Sequence, residues 1–158
     1  MKNSLIDITG KLTTGLVELY SGIALQADAL GIEFLVVGAM ARDLVLVHGF
    51  DAKIERGTRD VDFAINVSSW EEFDSLKDKL LESGYRADQK MGHKLHYTCS
   101  KELPWEIDIV PFGAIEDGRS MIAWPPDQDF EMNMLGFKEA AQSALIVRIV
   151  IPPENNRG

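Results

Sequence analysis

"RGTRDVDFAI", residues 56–65, places two carboxylates, Asp60 and Asp62, one residue apart inside a run that otherwise reads as a buried β-strand. Alternate side chains of a strand share a face, so Val61, Phe63, Ile65 and Val67 fall on one side and Asp60, Asp62, Ala64 and Asn66 on the other. The first set is apolar enough to pack under helices. The second carries both acids side by side, about 7 Å apart along the strand. Two carboxylates at that spacing repel, and in a partly enclosed site one keeps a raised pKa unless a cation lies between them.

The flanking segments extend this face into a site. Upstream, "EFLVVG" (33–38) is a short apolar run with β-branched residues, expected to be a strand buried on both faces. "AMARDLVLVHG" (39–49) reads as a helix closed by glycine. Gly38 at the junction lets backbone N–H groups approach a phosphate, and the start of a helix adds positive dipole. Downstream, in "WEIDIVPF" (105–112), Trp105, Ile107 and Ile109 alternate with Glu106, Asp108 and Val110. If this strand pairs beside the first, Asp108 becomes a third acid on the same face. Magnesium suits such a face, because it prefers carboxylate oxygens and leaves positions for water and phosphate. Three acids from two strands can hold two metals about 3.5 to 4 Å apart, an arrangement suited to phosphoryl transfer. "KLHYTC" (94–99) precedes that strand across the polar turn "SKELP", which predicts an antiparallel hairpin, with Pro111 ending its second strand.

Elsewhere the apolar residues from Ser4 to Leu30 recur at three- and four-residue steps and predict one amphipathic helix, weakened by Gly10, Gly15 and Gly22 and stopped by Gly31. A polar loop is expected over Phe50 to Arg59. Ser68 and Ser69, followed at three residues by Glu71 and Glu72, form a capping-box pattern for a helix with Phe73, Leu76 and Leu80 on one face and Gly84 at its end. After Gly113 the pattern predicts a loop at "AWPPDQD", a strand over 130–135, a short helix over 137–144 and a last strand over 145–151. Asp127 and Asp129 repeat the acidic spacing, but they follow two prolines and lack apolar alternation, so they are assigned to a solvated loop. The expected class is α/β (α+β), with a single domain over 1–151 and a tail over 152–158.

Composition narrows the function. The chain has 158 residues, 46% hydrophobic and 26% charged, as in a folded globular protein. A net charge of -9 argues against a generic nucleic-acid coat, which needs Lys and Arg to displace phosphate counterions. The lone Cys99 forms no internal disulfide, and the N-terminus lacks a basic segment followed by an apolar one, so a cytoplasmic protein is expected. The apolar stretches around Phe34 to Leu46 are too short to span a bilayer.

"VVGAMARDLVL", "RGTRDVDFAI" and "WEIDIVPFG", in that order, resemble the nucleotidyltransferase superfamily built on the DNA polymerase β fold. The chain is also similar to the AbiEii-like branch of bacterial nucleotidyltransferases, which includes toxins of toxin-antitoxin systems, through the runs Arg56 to Asp62 and Leu135 to Ala140. The resemblance implies a mixed twisted sheet flanked by helices, with the C-terminal helical region of that family missing after Ile151. It also implies transfer of NMP from an NTP to a hydroxyl of RNA, protein or a small molecule, on a Mg2+ or Mn2+ two-metal site, with an antitoxin as a partner. By position, Gly38 and Ala39 would hold the triphosphate, Asp60 and Asp62 the metals, and Asp108 a metal and the acceptor hydroxyl. Ala39 stands where the superfamily usually has Ser or Gly, so it offers an N–H but no hydroxyl. A degenerate, non-catalytic nucleotide-binding or partner-binding module of the same fold is the alternative.

Other residues are read with both outcomes open. Arg42, one turn after Gly38, reaches a phosphate or pairs with Asp43 or another acid. Arg56 and Thr58 are better placed than Arg59 to lie near the acidic face, although Thr58 also suits a local loop hydrogen bond. Lys90 and Lys94 touch an acceptor phosphate or are solvated strand-edge lysines. His48 reads as a helix cap, His93 and His96 lack zinc-ligand spacing, and Trp105 and Trp124 read as core or rim aromatics.

Overall fold

The computed structural model describes residues 5–7, 9–10, 12–44, 59–98, 103–126 and 128–148. In chain order these form β1 (Leu5–Asp7), α1 (Thr14–Ala29), β2 (Glu33–Val37), α2 (Gly38–Asp43), β3 (Asp60–Asn66), α3 (Trp70–Glu82), β4 (Arg86–Ala87), β5 (Lys94–Tyr97), β6 (Trp105–Phe112), β7 (Met121–Ala123), β8 (Glu131–Asn133), α4 (Phe137–Ser143) and β9 (Ile146–Arg148). The main sheet has the order β2-β3-β6-β5-β4. β3 runs parallel to β6, and the other neighbours are antiparallel. The expected mixed α+β sheet with helices is therefore present, as is the antiparallel hairpin of β5 and β6.

The alternation in the opening stretch decides which way the sheet faces. Val61, Phe63 and Ile65 are fully buried, and with Ile107, Ile109 and Leu95 they join Leu19 and Ile23 of α1 and Phe73, Leu76 and Leu80 of α3 in one core. Asp60 stays exposed and Asp62 half-buried on the opposite face. Helix α3 starts as its pattern predicts: the Ser69 hydroxyl accepts from the Glu72 N–H at 3.2 Å, and the Glu72 carboxylate accepts from the Ser68 N–H at 3.0 Å. Gly22, in the middle of α1, has a packing reason. A Cβ there would lie 2.4 Å from the Tyr85 hydroxyl, which donates to the Leu19 carbonyl at 2.7 Å.

Several expectations are corrected. The stripe from Ser4 to Leu30 is not one helix: Leu5–Asp7 is a strand, paired in parallel with β9. Asp7 accepts from the Thr9 N–H and hydroxyl at 2.9 and 2.6 Å, and Thr13 caps α1 by accepting from Leu16 at 3.4 Å, so the chain turns between the two elements. Pro111 does not end β6, which continues to Phe112. β5 pairs only as far as Lys94 opposite Asp108, with one further bond from the Ile109 N–H to the His93 carbonyl. Pro111 thus lies past the neighbour that its missing N–H would have faced. β4 and β7 were not expected; β7 (Met121–Ala123) pairs with β8 and takes Ala123 from the expected loop. The expected strand over 130–135 is confined to Glu131–Asn133, and α4 (Phe137–Ser143) lies where a short helix is expected. The rest of the helix expected over 39–49, the loop before Arg59, His48, Cys99, Asp127 and the tail lie outside the described residues.

Candidate active site

Sheet register assembles the acidic face. β3 and β6 run side by side with Asp60 opposite Glu106 and Asp62 opposite Asp108. On the other side of β3, Val37 is opposite Asp62, so the chain leaves β2 through Gly38 beside that carboxylate. Gly38 has φ +72°, and a Cβ there would meet Asp62 Oδ2 at 2.5 Å. Its conformation favours glycine, and a Cβ would force the Asp62 carboxylate to move. Three separated segments named by the sequence pattern, Gly38, Asp62 and Asp108, therefore meet at one place.

The acids form two cross-strand rungs. The Asp62 and Asp108 carboxylates meet across the two strands, as do those of Asp60 and Glu106. Since ionised carboxylates only accept, each such contact needs a proton or a cation. Burial, then the Asp108 charge, pushes the Asp62 pKa above its ordinary value. Burial and then Glu106 do the same to Asp60. Glu106 is held low by its hydrogen bond to Lys94.

Lys94 on β5 extends the inner rung across a third strand, opposite Asp108. Its Nζ lies 3.2 Å from Glu106 Oε2 and 3.5 Å from Asp108 Oδ1. Burial alone would lower the ammonium pKa, but the Glu106 hydrogen bond and the Asp108 charge outweigh it and leave it raised. Lys94 is thus not a solvated strand-edge lysine: it is paired into the acidic face. His96, two residues on, sits opposite Glu106 and bonds Asp88 at 2.9 Å. Asp88 is held well below the usual carboxylate range by that contact and by the N–H groups of Lys90 and Met91.

The remaining site residues divide. Ala39 and Arg42 are exposed on α2. Arg56 and Thr58 lie outside the described residues. Arg59 is turned to the other side, as expected from alternation: its guanidinium lies 4.1 Å over the Trp105 ring and donates to the Leu103 carbonyl. Trp105 and Trp124 are buried, and His93 packs against the Trp124 ring at 5.4 Å. Sequence reasoning did not assign Glu106 to the site, although it shares the parity of Asp108 two residues later in "WEIDIV".

Among the described residues no three Asp, Glu, His or Cys side chains already converge as a metal-holding group. The donors still fit a hard divalent cation. All are carboxylate oxygens, and burial and the Asp108 charge keep the Asp62 pKa raised even with the Lys94 ammonium 3.5 Å from Asp108 Oδ1, so the face still carries uncompensated negative charge. Among the described residues no helix is long and apolar enough to cross a membrane.

No protein-family model matches the chain, and no curated protein matches it. Two solved structures are similar: the antibiotic-resistance factor ANT(2'')-Ia in solution, and ANT(2'')-Ia in a crystal with adenylyl-2''-tobramycin. Identities are 18% and 17%, and TM-scores 0.45 and 0.44. The first match covers 70% of this chain and 58% of that one, the second 83% and 79%. The functional reading therefore rests on this chain's own strands and carboxylates.

Proposed function

We propose that the protein is a nucleotidyltransferase that moves NMP from an NTP to a hydroxyl acceptor, with its catalytic acids at Asp60, Asp62 and Asp108. The observation that carries this is the register that sets Asp62 against Asp108 with Gly38 closing on the Asp62 carboxylate. Asp60, Asp62 and Asp108 would hold Mg2+ or Mn2+, which when bound neutralises charge on the triphosphate and polarises the reacting oxygens. Gly38 and Ala39 offer backbone N–H groups to the phosphates, and Arg42 supplies positive charge one turn on. Arg56 and Thr58 are assigned to the nucleotide by sequence pattern. Asp108, set against Asp62 by the register, is assigned by the sequence pattern to a metal and to receipt of the proton of the acceptor hydroxyl. The acceptor oxygen then bonds to the α-phosphorus as the bond to pyrophosphate breaks. Catalysis of this kind is mostly positioning and electrostatic stabilisation. The acceptor class is RNA, protein or a small molecule. A cytoplasmic toxin paired with an antitoxin, folded as one domain over 1–151, is the biological setting in keeping with the AbiEii-like sequence pattern.

The test is incubation of the full chain with labelled NTPs, Mg2+ or Mn2+ and cell extract. Transfer of label is expected from the native protein and not from Asp60→Ala combined with Asp62→Ala. Label transfer that survives the double substitution removes these acids from the mechanism. Ala39, which lacks a hydroxyl, favours one second reading, a nucleotide-binding module without transfer activity. Normal Mg-NTP binding by calorimetry with no acceptor ever modified selects it.

A further inference from the structure

Lys94 is distinguished among the described lysines by where it ends. Lys77 reaches a backbone carbonyl, that of Gly92, at 2.7 Å, and Lys90 is exposed. The Lys94 side chain is only 20% exposed and ends between two carboxylates of β6, Glu106 and Asp108. Those acids are in turn register partners of Asp60 and Asp62. The row Asp62, Asp108, Lys94 therefore crosses β3, β6 and β5 as one rung, with the ammonium at its end.

We propose that Lys94 is a positioning residue, the resident counterion of the acidic face, which orients Asp108 and Glu106 and limits how strongly that face attracts a divalent cation. The inference rests on the reading of the face as a divalent-cation site. Four carboxylates on two adjacent strands repel one another, and a fixed ammonium touching two of them lowers that repulsion without contributing an oxygen ligand. A charge removed this close to a bound divalent cation should strengthen cation binding by about tenfold. A lysine whose task is to contact substrate phosphate makes the opposite demand: its loss weakens Mg-NTP and leaves the affinity for metal alone unchanged.

The experiment uses the full chain with Mn2+ as the probe and no nucleotide, measuring affinity by calorimetry or by the free-Mn2+ electron paramagnetic resonance signal. Lys94→Met is expected to bind Mn2+ about tenfold more tightly than the native chain, to melt at a lower temperature without metal, and to recover with Mn2+. Lys94→Arg restores the native values. Should Lys94→Met fail to fold, Lys94→Met with Glu106→Gln removes one of the opposed negative charges as well. That double variant is expected to fold and still to bind Mn2+ at least as tightly as the native chain. Unchanged or weaker Mn2+ binding in folded Lys94→Met overturns the proposal, as does weaker binding in the double variant or the absence of Mn2+ binding in every variant. Because no nucleotide is present, the outcomes separate. A Mn2+ shift without any NMP transfer upholds Lys94 and overturns the transferase reading, and transfer without a Mn2+ shift does the reverse.

Discussion

The two faces of β3 are built from alternate residues of the same seven and live in opposite environments. Val61, Phe63 and Ile65 have no exposed surface, and each packs into a core shared with both long helices. One residue away, Asp60 and Asp62 stand opposite Glu106 and Asp108, so like charges face each other on neighbouring strands. A strand with two carboxylates has poor intrinsic reason to sit in the middle of a sheet. The difference between the faces shows how it does so: burial on one side holds in register a set of charges that would not assemble unaided. The acidic face is a cost carried by the apolar one, and that relation can be tested from either side.

The largest effect should come from the apolar face. Phe63 meets Tyr20 and Phe34 edge-on at 5.9 and 5.8 Å and is fully buried. Phe63→Ala is expected to cost about 3–5 kcal/mol of stability in urea unfolding of the metal-free chain. A loss below 1 kcal/mol, the scale of a surface change, would break the claim that this face anchors the strand. Next comes the seam between the faces, at Gly38. Gly38→Ala forces a side chain into the left-handed region, at roughly 1–2 kcal/mol, and drives its Cβ onto Asp62 Oδ2. The expected signature is a modest loss of stability and a much larger loss of Mg-NTP affinity by calorimetry. Equal affinity would mean that nothing binds beside this glycine.

How much of this was legible in the sequence follows from range. Alternation, a local signal, placed Val61, Phe63 and Ile65 inside and the acids outside, and it gave β6 its start at Trp105. The site at Gly38, Asp62 and Asp108 was legible as three candidates, but the rung that joins them depends on the parallel pairing of β3 with β6, which no local pattern specifies. The same register brought in Glu106, which the local pattern left unassigned, and the hairpin register paired Lys94 with the acidic face, a role that depends on pairing across strands. β1 was misread for a like reason. Its three residues continue the helical spacing of α1, while the partner that makes them a strand, β9, lies at the other end of the chain. Pro111 shows the converse, a strong local rule that lost because β5 had already ended.

The smallest effect comes from the acidic face and has the opposite sign. Asp62→Asn keeps the size and hydrogen-bonding capacity of the side chain and removes one member of a like-charge cross-strand pair, a repulsion of roughly 0.2–1 kcal/mol. Metal-free stability should rise by about that amount near neutral pH. The pH dependence follows from linkage. The folded-state pKa of Asp62 is raised above its ordinary 3.8, chiefly by burial and then by Asp108. Between 3.8 and the raised value the folded chain holds more protons than the unfolded one, so stability falls as pH rises through that window and is flat above it. Asp62→Asn should remove that part of the slope, so its advantage over the native chain is greatest above the window and vanishes below it. Mg2+ or Mn2+ should reverse the order by stabilising the native chain more than the variant, because the cation binds the folded state through the carboxylate that was lost. A variant that is no more stable than the native chain without metal, in urea titrations at neutral pH, would show that Asp62 and Asp108 are not opposed charges in the folded protein.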